Sequence, residues 1–288
     1  MSQSTVKKSS SIEANSGDFS SPRAGENSLQ IQGVSKTFVD GGRVVEALRP
    51  VDLSIQAGEF VCLLGPSGCG KSTLLSIVAG LESASSGIIT ANGKEISGPG
   101  TDRVLLFQEA ALFPWLDVQR NVEFGLRQAG VASRKRAEIA QHFINTVNLK
   151  GFEHSYPHQL SGGMRQRAAI ARALAIDPAI LLMDEPFGAL DAFTRDHLQS
   201  QVESIWSATH KTILFVTHNV REAVALGDRV IVFAPRPGRI IGDFHIDIPR
   251  SRSLEDHELV DKAAEILQTL KSEMEMQEQE DAHVSIVH

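Results

Sequence analysis

The chain has 288 residues, room for one large α/β domain or two ordinary ones, and its 42% hydrophobic content is enough to bury a core. Its formal net charge of −7 excludes an overall basic surface, so nucleic acid is not an expected main partner. The longest apolar runs, VLLF at 104–107, ILLM at 180–183 and ILFV at 213–216, are strand-length, far short of the roughly 18 residues that a membrane span needs.

Residues 1–28 carry nine serines and no apolar stretch of the signal-peptide kind, so they read as a disordered tail without an export signal. From Leu29 to Phe60 short alternating segments break at Gly41-Gly42 and end at Gly58, the pattern of an antiparallel β section. Phe60 to Leu64 (FVCLL) is a buried strand that runs into a glycine-rich loop, and Ser72 to Leu81 has helical spacing up to Gly80. Further strands are predicted at 87–91 and 103–107. Residues 109–176 then turn helix-rich, with Ile139, Phe143, Ile144 and Val147 at helical spacing, which predicts a helical subdomain. Buried-strand signals return at 179–183, 212–217 and 229–233 with helical sequence between them, as parallel βαβ crossovers require. Residues 238–248 alternate like edge strands. Ser253 with Asp256 resembles a capping box for a final helix within 249–274, whose apolar face is marked by Leu259, Val260, Ala263, Ile266, Leu267, Leu270 and Met274. The acidic end, 275–288, reads as a loose tail. The expected fold class is α/β, a mostly parallel core sheet with an antiparallel β subdomain and a helical subdomain at about 109–176, filling 29–248.

The glycine-rich loop, Gly65-Pro66-Ser67-Gly68-Cys69-Gly70-Lys71-Ser72, fits G-x-x-x-x-G-K-[ST] between a strand and a helix. Its glycines let successive amides turn inward around phosphate oxygens, and Lys71 adds a cation near the β and γ phosphates. The Ser72 hydroxyl suits Mg²⁺, Thr73 can add a phosphate contact, and the helix beginning there points its positive end at the anion. The loop therefore predicts binding and hydrolysis of a Mg²⁺-bound nucleoside triphosphate. The two cysteines, Cys62 and Cys69, offer neither a disulfide framework nor a metal set, which suits a reducing compartment. Cys69, near a helix N-terminus, is either a small loop filler or a thiol with thiolate character whose oxidation blocks nucleotide binding.

Ile180-Leu181-Leu182-Met183-Asp184-Glu185 is a buried strand ending in two carboxylates, which at the carboxyl edge of a parallel sheet face the phosphate loop. Asp184 suits a metal or its water, and Glu185 the polarisation of attacking water. Such a pair alone also serves as an ordinary helix cap. It is accompanied by Leu160-Ser161-Gly162-Gly163-Met164-Arg165-Gln166-Arg167, by Phe187-Gly188-Ala189-Leu190-Asp191, and by Gln108 and His218. In order and spacing these elements resemble the ATP-binding cassette (ABC) ATPase family over about residues 29–246.

That resemblance implies a P-loop ATPase that uses ATP and Mg²⁺ and works as a head-to-tail homodimer. Ser161, Gly162 and Gly163 would then complete the cage around the γ-phosphate held by the partner's loop. Gln108 would reach metal and water, His218 would contact the γ-phosphate and orient Glu185, and Asp191 would belong to the loop crossing the seam. Phe38 stands where the family places an aromatic, usually tyrosine, against adenine; a plain strand phenylalanine is the other reading. The segments Gln108 to Trp115 with Asn121-Val122, and Ala234 to Ile240 (APRPGRI), resemble the importer subfamily that serves nitrate, sulfonate and taurine, with bicarbonate, cyanate and thiamine-precursor cassettes similar. By that resemblance Leu112, Phe113 and Trp115 would receive a coupling helix of a separate permease, unless they only pack inside the helical subdomain. A periplasmic solute-binding protein would act indirectly, and the chain would sit peripherally on the cytoplasmic face of the inner membrane. The rival readings are a soluble clamp on a protein or nucleic acid partner, and a motor for export or lipid translocation.

Overall fold

The computed structural model describes residues 27–188, 192–250, 252 and 256–286. In chain order come β1 (Asn27–Asp40), β2 (Arg43–Gln56), β3 (Phe60–Leu64), α1 (Lys71–Val78), β4 (Ser86–Ala91), β5 (Lys94–Glu95), β6 (Arg103–Leu106), α2 (Val118–Gln128), α3 (Ser133–Thr146) and α4 (Gly162–Ala175). They are followed by β7 (Ile180–Asp184), α5 (Ala192–Thr209), β8 (Thr212–Thr217), α6 (Val220–Leu226), β9 (Arg229–Phe233), β10 (Ile240–His245) and α7 (His257–Ile286).

β1 and β2 form a hairpin closed by Gly41-Gly42, both at positive φ (53° and 84°). Two successive left-handed residues suit a tight hairpin turn, and glycine takes them without a Cβ clash. With β4 and β5 they make an antiparallel sheet ordered β2-β1-β4-β5. The second sheet runs β10-β9-β3-β8-β7-β6, parallel from β9 to β6 with β10 antiparallel at the edge.

All five residues of β3 are buried, and they alternate between two cores. Phe60, Cys62 and Leu64 face the side packed by α4 and α6, while Val61 and Leu63 face α1 and the antiparallel sheet. β7, β8 and β9 divide in the same way. Burial on both faces is why these strands read as unbroken apolar runs rather than alternating ones.

α2, α3 and α4 pack on one another, and a buried amide fixes the loop leading into them. Asn121 is fully buried; its Oδ1 accepts from the Phe113 amide at 2.8 Å and its Nδ2 donates to the carbonyls of Phe113, Leu116 and Asp117. A buried side-chain amide is tolerated only when paired in this way, so the residue pins the shape of 113–117.

The C-terminal part departs from the sequence expectation. α7 runs to Ile286 rather than ending near 274. The stretch from Glu275 onward lacks an apolar stripe but opens on Glu and Gln residues with Met276 among them, all good helix formers. Ser253 lies outside the described residues. The helix starts at His257, and the Asp256 carbonyl accepts from the Val260 amide at 3.0 Å, so Asp256 occupies the cap position. Of its expected apolar face, Leu259, Ile266 and Leu270 are buried, while Val260, Leu267 and Met274 are exposed. At the other end β1 begins at Asn27 and Ser28 is buried, which takes two residues from the expected tail; residues 1–26 are outside the described part.

Candidate active site

β3, β8 and β7 are neighbours, and their carboxyl ends are level: Leu64 pairs with Thr217 and Asp184 with Val216. The phosphate loop follows β3, the acidic pair ends β7, and His218 follows β8, so three segments distant in sequence meet at one edge. This is where an open parallel sheet presents a ligand crevice.

The loop is wedged between backbone segments. A Cβ on Gly65 would lie 2.8 Å from the Phe233 carbonyl oxygen, and one on Gly70 would lie 2.7 Å from that of Ala47. Gly70 has φ 95°, precedes α1 and supplies no side-chain cap, which leaves first-turn amides for an anion. Lys71 is 4% exposed, and its ammonium donates to the carbonyls of Gly65 and Pro66 at 2.8 Å each. It is thus held over the mouth of the loop. Pro66, Ser67 and Gly68 form the loop's outer arc, with Gly68 in open space at φ 79°. Thr73 lies in the first turn of α1.

Opposite, the Ser72 hydroxyl donates to Asp184 Oδ1 at 2.8 Å. Burial, with the neighbouring Glu185 charge, pushes the Asp184 carboxyl above its usual range, against the pull of Ser72 and Lys71. A carboxylate kept partly unsatisfied in this way is suited to a cation. Among the described residues no group of three or more His, Cys, Asp or Glu could hold a metal by itself. One hydroxyl and one carboxylate fit a Mg²⁺ that brings phosphate and water oxygens of its own.

Glu185 has φ 42°, a left-handed backbone unusual for a side-chain-bearing residue, held by its amide to the Val216 carbonyl (3.0 Å) and its carbonyl to the Gly188 amide (3.1 Å). Such strain, about 1–3 kcal/mol, is characteristic of functional sites. It turns the carboxylate toward His218, whose Nδ1 lies 2.9 Å from Glu185 Oε2. Gln108, exposed just after β6, also converges here: a Cβ on Gly188 would stand 3.4 Å from Gln108 Nε2 and 3.7 Å from Glu185 Oε2.

Ser161 caps α4 through its hydroxyl (3.3 Å from the Met164 amide), with Ser161 and Gly162 exposed. Among the described residues, no hydrogen bond joins Ser161, Gly162 or Gly163 to the phosphate loop of the same chain. Phe38 is 39% exposed on β1, with the Lys36 ammonium 4.9 Å from its ring centre. Asp191 lies outside the described residues. Cys69 is buried, and burial raises its thiol above the ordinary value despite Lys71 beside it. Burial thus favours the loop-filler reading of this cysteine over the thiolate one.

Sequence reading missed the role of Gly238. Its amide donates to the Ala47 carbonyl (3.1 Å), its carbonyl accepts from Arg49 (2.8 Å), and a Cβ there would overlap the Cys69 carbonyl oxygen. The APRPGRI segment thus backs the phosphate loop from behind. Gly238→Ala should displace the loop and weaken ATP binding roughly 5- to 100-fold, the usual cost of overpacking expressed as affinity. Titration with a fluorescent ATP analogue checks this, and unchanged affinity would show that the two loops do not share strain.

A glycine loop with a buried lysine, a Ser-Asp pair and a Glu-His pair on a parallel sheet edge define a P-loop nucleotide-hydrolysing cassette. A family model described as ABC transporter matches residues 48–188. The chain is 46% identical over 221 residues to the nitrate import ATP-binding protein NrtD of Synechocystis sp., covering 77% of this chain and 83% of that one. It is 51% identical over 205 residues to the taurine import ATP-binding protein TauB of Pelagibacter ubique, covering 71% and 77%. A dimeric ATP-binding cassette solved in a post-hydrolysis state with ADP and Pi superposes with a TM-score of 0.69 at 31% identity, over 77% of this chain and 100% of that one. The chain belongs to the ABC transporter family, as an ATP-binding, ATP-hydrolysing cassette.

Proposed function

We propose that this cassette is the motor subunit of an importer for a small anion such as nitrate or taurine, acting as a pair of identical chains beneath separate membrane subunits. The likeness to nitrate and taurine import cassettes over most of the chain carries this reading. No helix among the described residues is long and apolar enough to cross a membrane, and the path is assigned to a separate permease.

In the proposed mechanism the loop amides and Lys71 hold the β and γ phosphates, and Ser72, Asp184 and Gln108 would hold Mg²⁺. Bound there, it would supply charge neutralisation at the transferred phosphoryl group. Glu185 accepts a proton from the attacking water and is kept in place by His218. Ser161, Gly162 and Gly163 of the second chain close the cage, since the exposed N-terminus of α4 is free to meet an anion from outside its own chain. Asp191 is assigned to the seam, and Phe38 to the adenine ring.

The permease contact is proposed at Trp115, 69% exposed, with Phe113 and Leu112 beneath it. Phe113 packs on Phe124 (4.3 Å between ring centres) and under Arg172, so these two act as the base and Trp115 as the anchor. Trp115→Asp should lower co-purification with the permease at least about tenfold, the effect of losing an aromatic anchor. Nucleotide binding by the isolated variant serves as the folding control. Full permease recovery would rule out this surface.

A further inference from the structure

A buried carboxylate that the mechanism above does not use lies behind His218. Glu222, in α6, is 6% exposed. Its Oε2 accepts from the Thr217 hydroxyl and its Oε1 from Gln199 Nε2 at 2.8 Å. The Thr217 hydroxyl in turn accepts from the Asn219 amide at 3.0 Å, and Asn219 Oδ1 accepts from the Arg221 and Glu222 amides at the start of α6. The residues on both sides of His218 are therefore held by one network centred on Glu222. Its third anchor, Gln199, belongs to α5, which begins at Ala192, directly after Asp191, the residue assigned to the dimer seam.

Burying a carboxylate costs several kcal/mol unless hydrogen bonds offset it, and burial indeed pushes Glu222 above the usual carboxylate range. A hydrophobic residue would fill the same space without that cost. Its retention calls for a geometric reason. The imidazole of His218 must meet Glu185 Oε2 at hydrogen-bond distance while its own side chain is 57% exposed, so its aim depends on the backbone that carries it.

We infer that Glu222 is a positioning residue for His218: its carboxylate clamps the Thr217 hydroxyl, which in turn holds the Asn219 amide, and through Gln199 it makes the aim of the histidine follow helix α5 and hence the dimer seam. This rests on the proposed role of His218 at Glu185. Glu222 touches no phosphate and its effect passes through the histidine.

The test is steady-state ATPase of the purified full chain. Glu222→Ala should lower kcat by roughly 10- to 100-fold with KM for ATP nearly unchanged, the scale of a displaced catalytic group. Thr217→Val, which keeps the strand and its volume, should lower kcat in the same direction, so a folding defect in Glu222→Ala leaves the idea testable. Glu222→Gln should recover most of the loss, because its amide oxygen can still accept from Thr217 while Gln199 turns its own amide to match. In a His218→Ala background Glu222→Ala should add no further loss. A further loss of the same size there, or a raised KM with kcat intact, would overturn the positioning role. If His218→Ala alone leaves kcat unchanged, the assignment of the histidine fails instead, and the two failures are told apart by that single variant.

Discussion

Glu185→Gln should bind ATP and barely turn it over, with kcat reduced roughly 10²- to 10⁴-fold, the contribution of a placed general base. The amide is nearly isosteric, so the left-handed backbone at residue 185 and the approach of His218 survive the change. What disappears is the ability to accept a proton from water. Since the intact triphosphate is what joins the two chains in the proposed composite site and hydrolysis removes it, the variant should accumulate as an ATP-bound dimer. Size-exclusion chromatography with saturating ATP should show twice the monomer mass. Monomeric elution, or turnover near that of the unmodified chain, would contradict both the base and the composite site.

The second large effect is expected at Lys71. Lys71→Ala removes a buried cation from a cradle whose other donors are neutral amides. A hydrogen bond to a charged group contributes about 1.5–3 kcal/mol, which corresponds to roughly 10- to 150-fold in Kd for ATP. Turnover should fall further, by about 10²–10³, because charge builds on the phosphoryl oxygens as the bond breaks. The change also releases the Gly65 and Pro66 carbonyls from the ammonium, so the loop loses an internal tie as well as a ligand contact. Calorimetric titration of ATP and an ATPase assay check the two parts separately. Unimpaired binding would mean that the amides alone hold the phosphates.

The contrast between these sites and the rest of the molecule shows what a sequence displays. The strands at 180–183 and 213–216 were readable because a strand covered on both faces must be apolar at every position. The phosphate loop was readable because its residues are contiguous and each spacing has a chemical reason. Gly238 was not, because the clash that demands glycine there comes from Cys69, far away in sequence. Glu222 reads as an ordinary polar residue in a short helix, and only its burial and its bonds to Thr217 of β8 and Gln199 of α5 set it apart. The length of α7 is hidden for another reason. Periodicity marks where a helix needs a partner, and beyond Met274 the sequence carries no such stripe from which the helix could be read.

The alternation of β3 between two cores bears on where the cassette can yield. A strand locked on both faces exchanges its amides only when the whole sheet opens, so the platform under the phosphates shares the stability of the entire domain. Deformation during a work cycle then has to fall on parts tied less directly to that platform, among them α2 and α3, whose main packing is on each other and on α4, and the loop that carries Trp115. Stiff floor and pliant lever are thus apportioned by nothing more than which side chains point to which side of a five-residue strand.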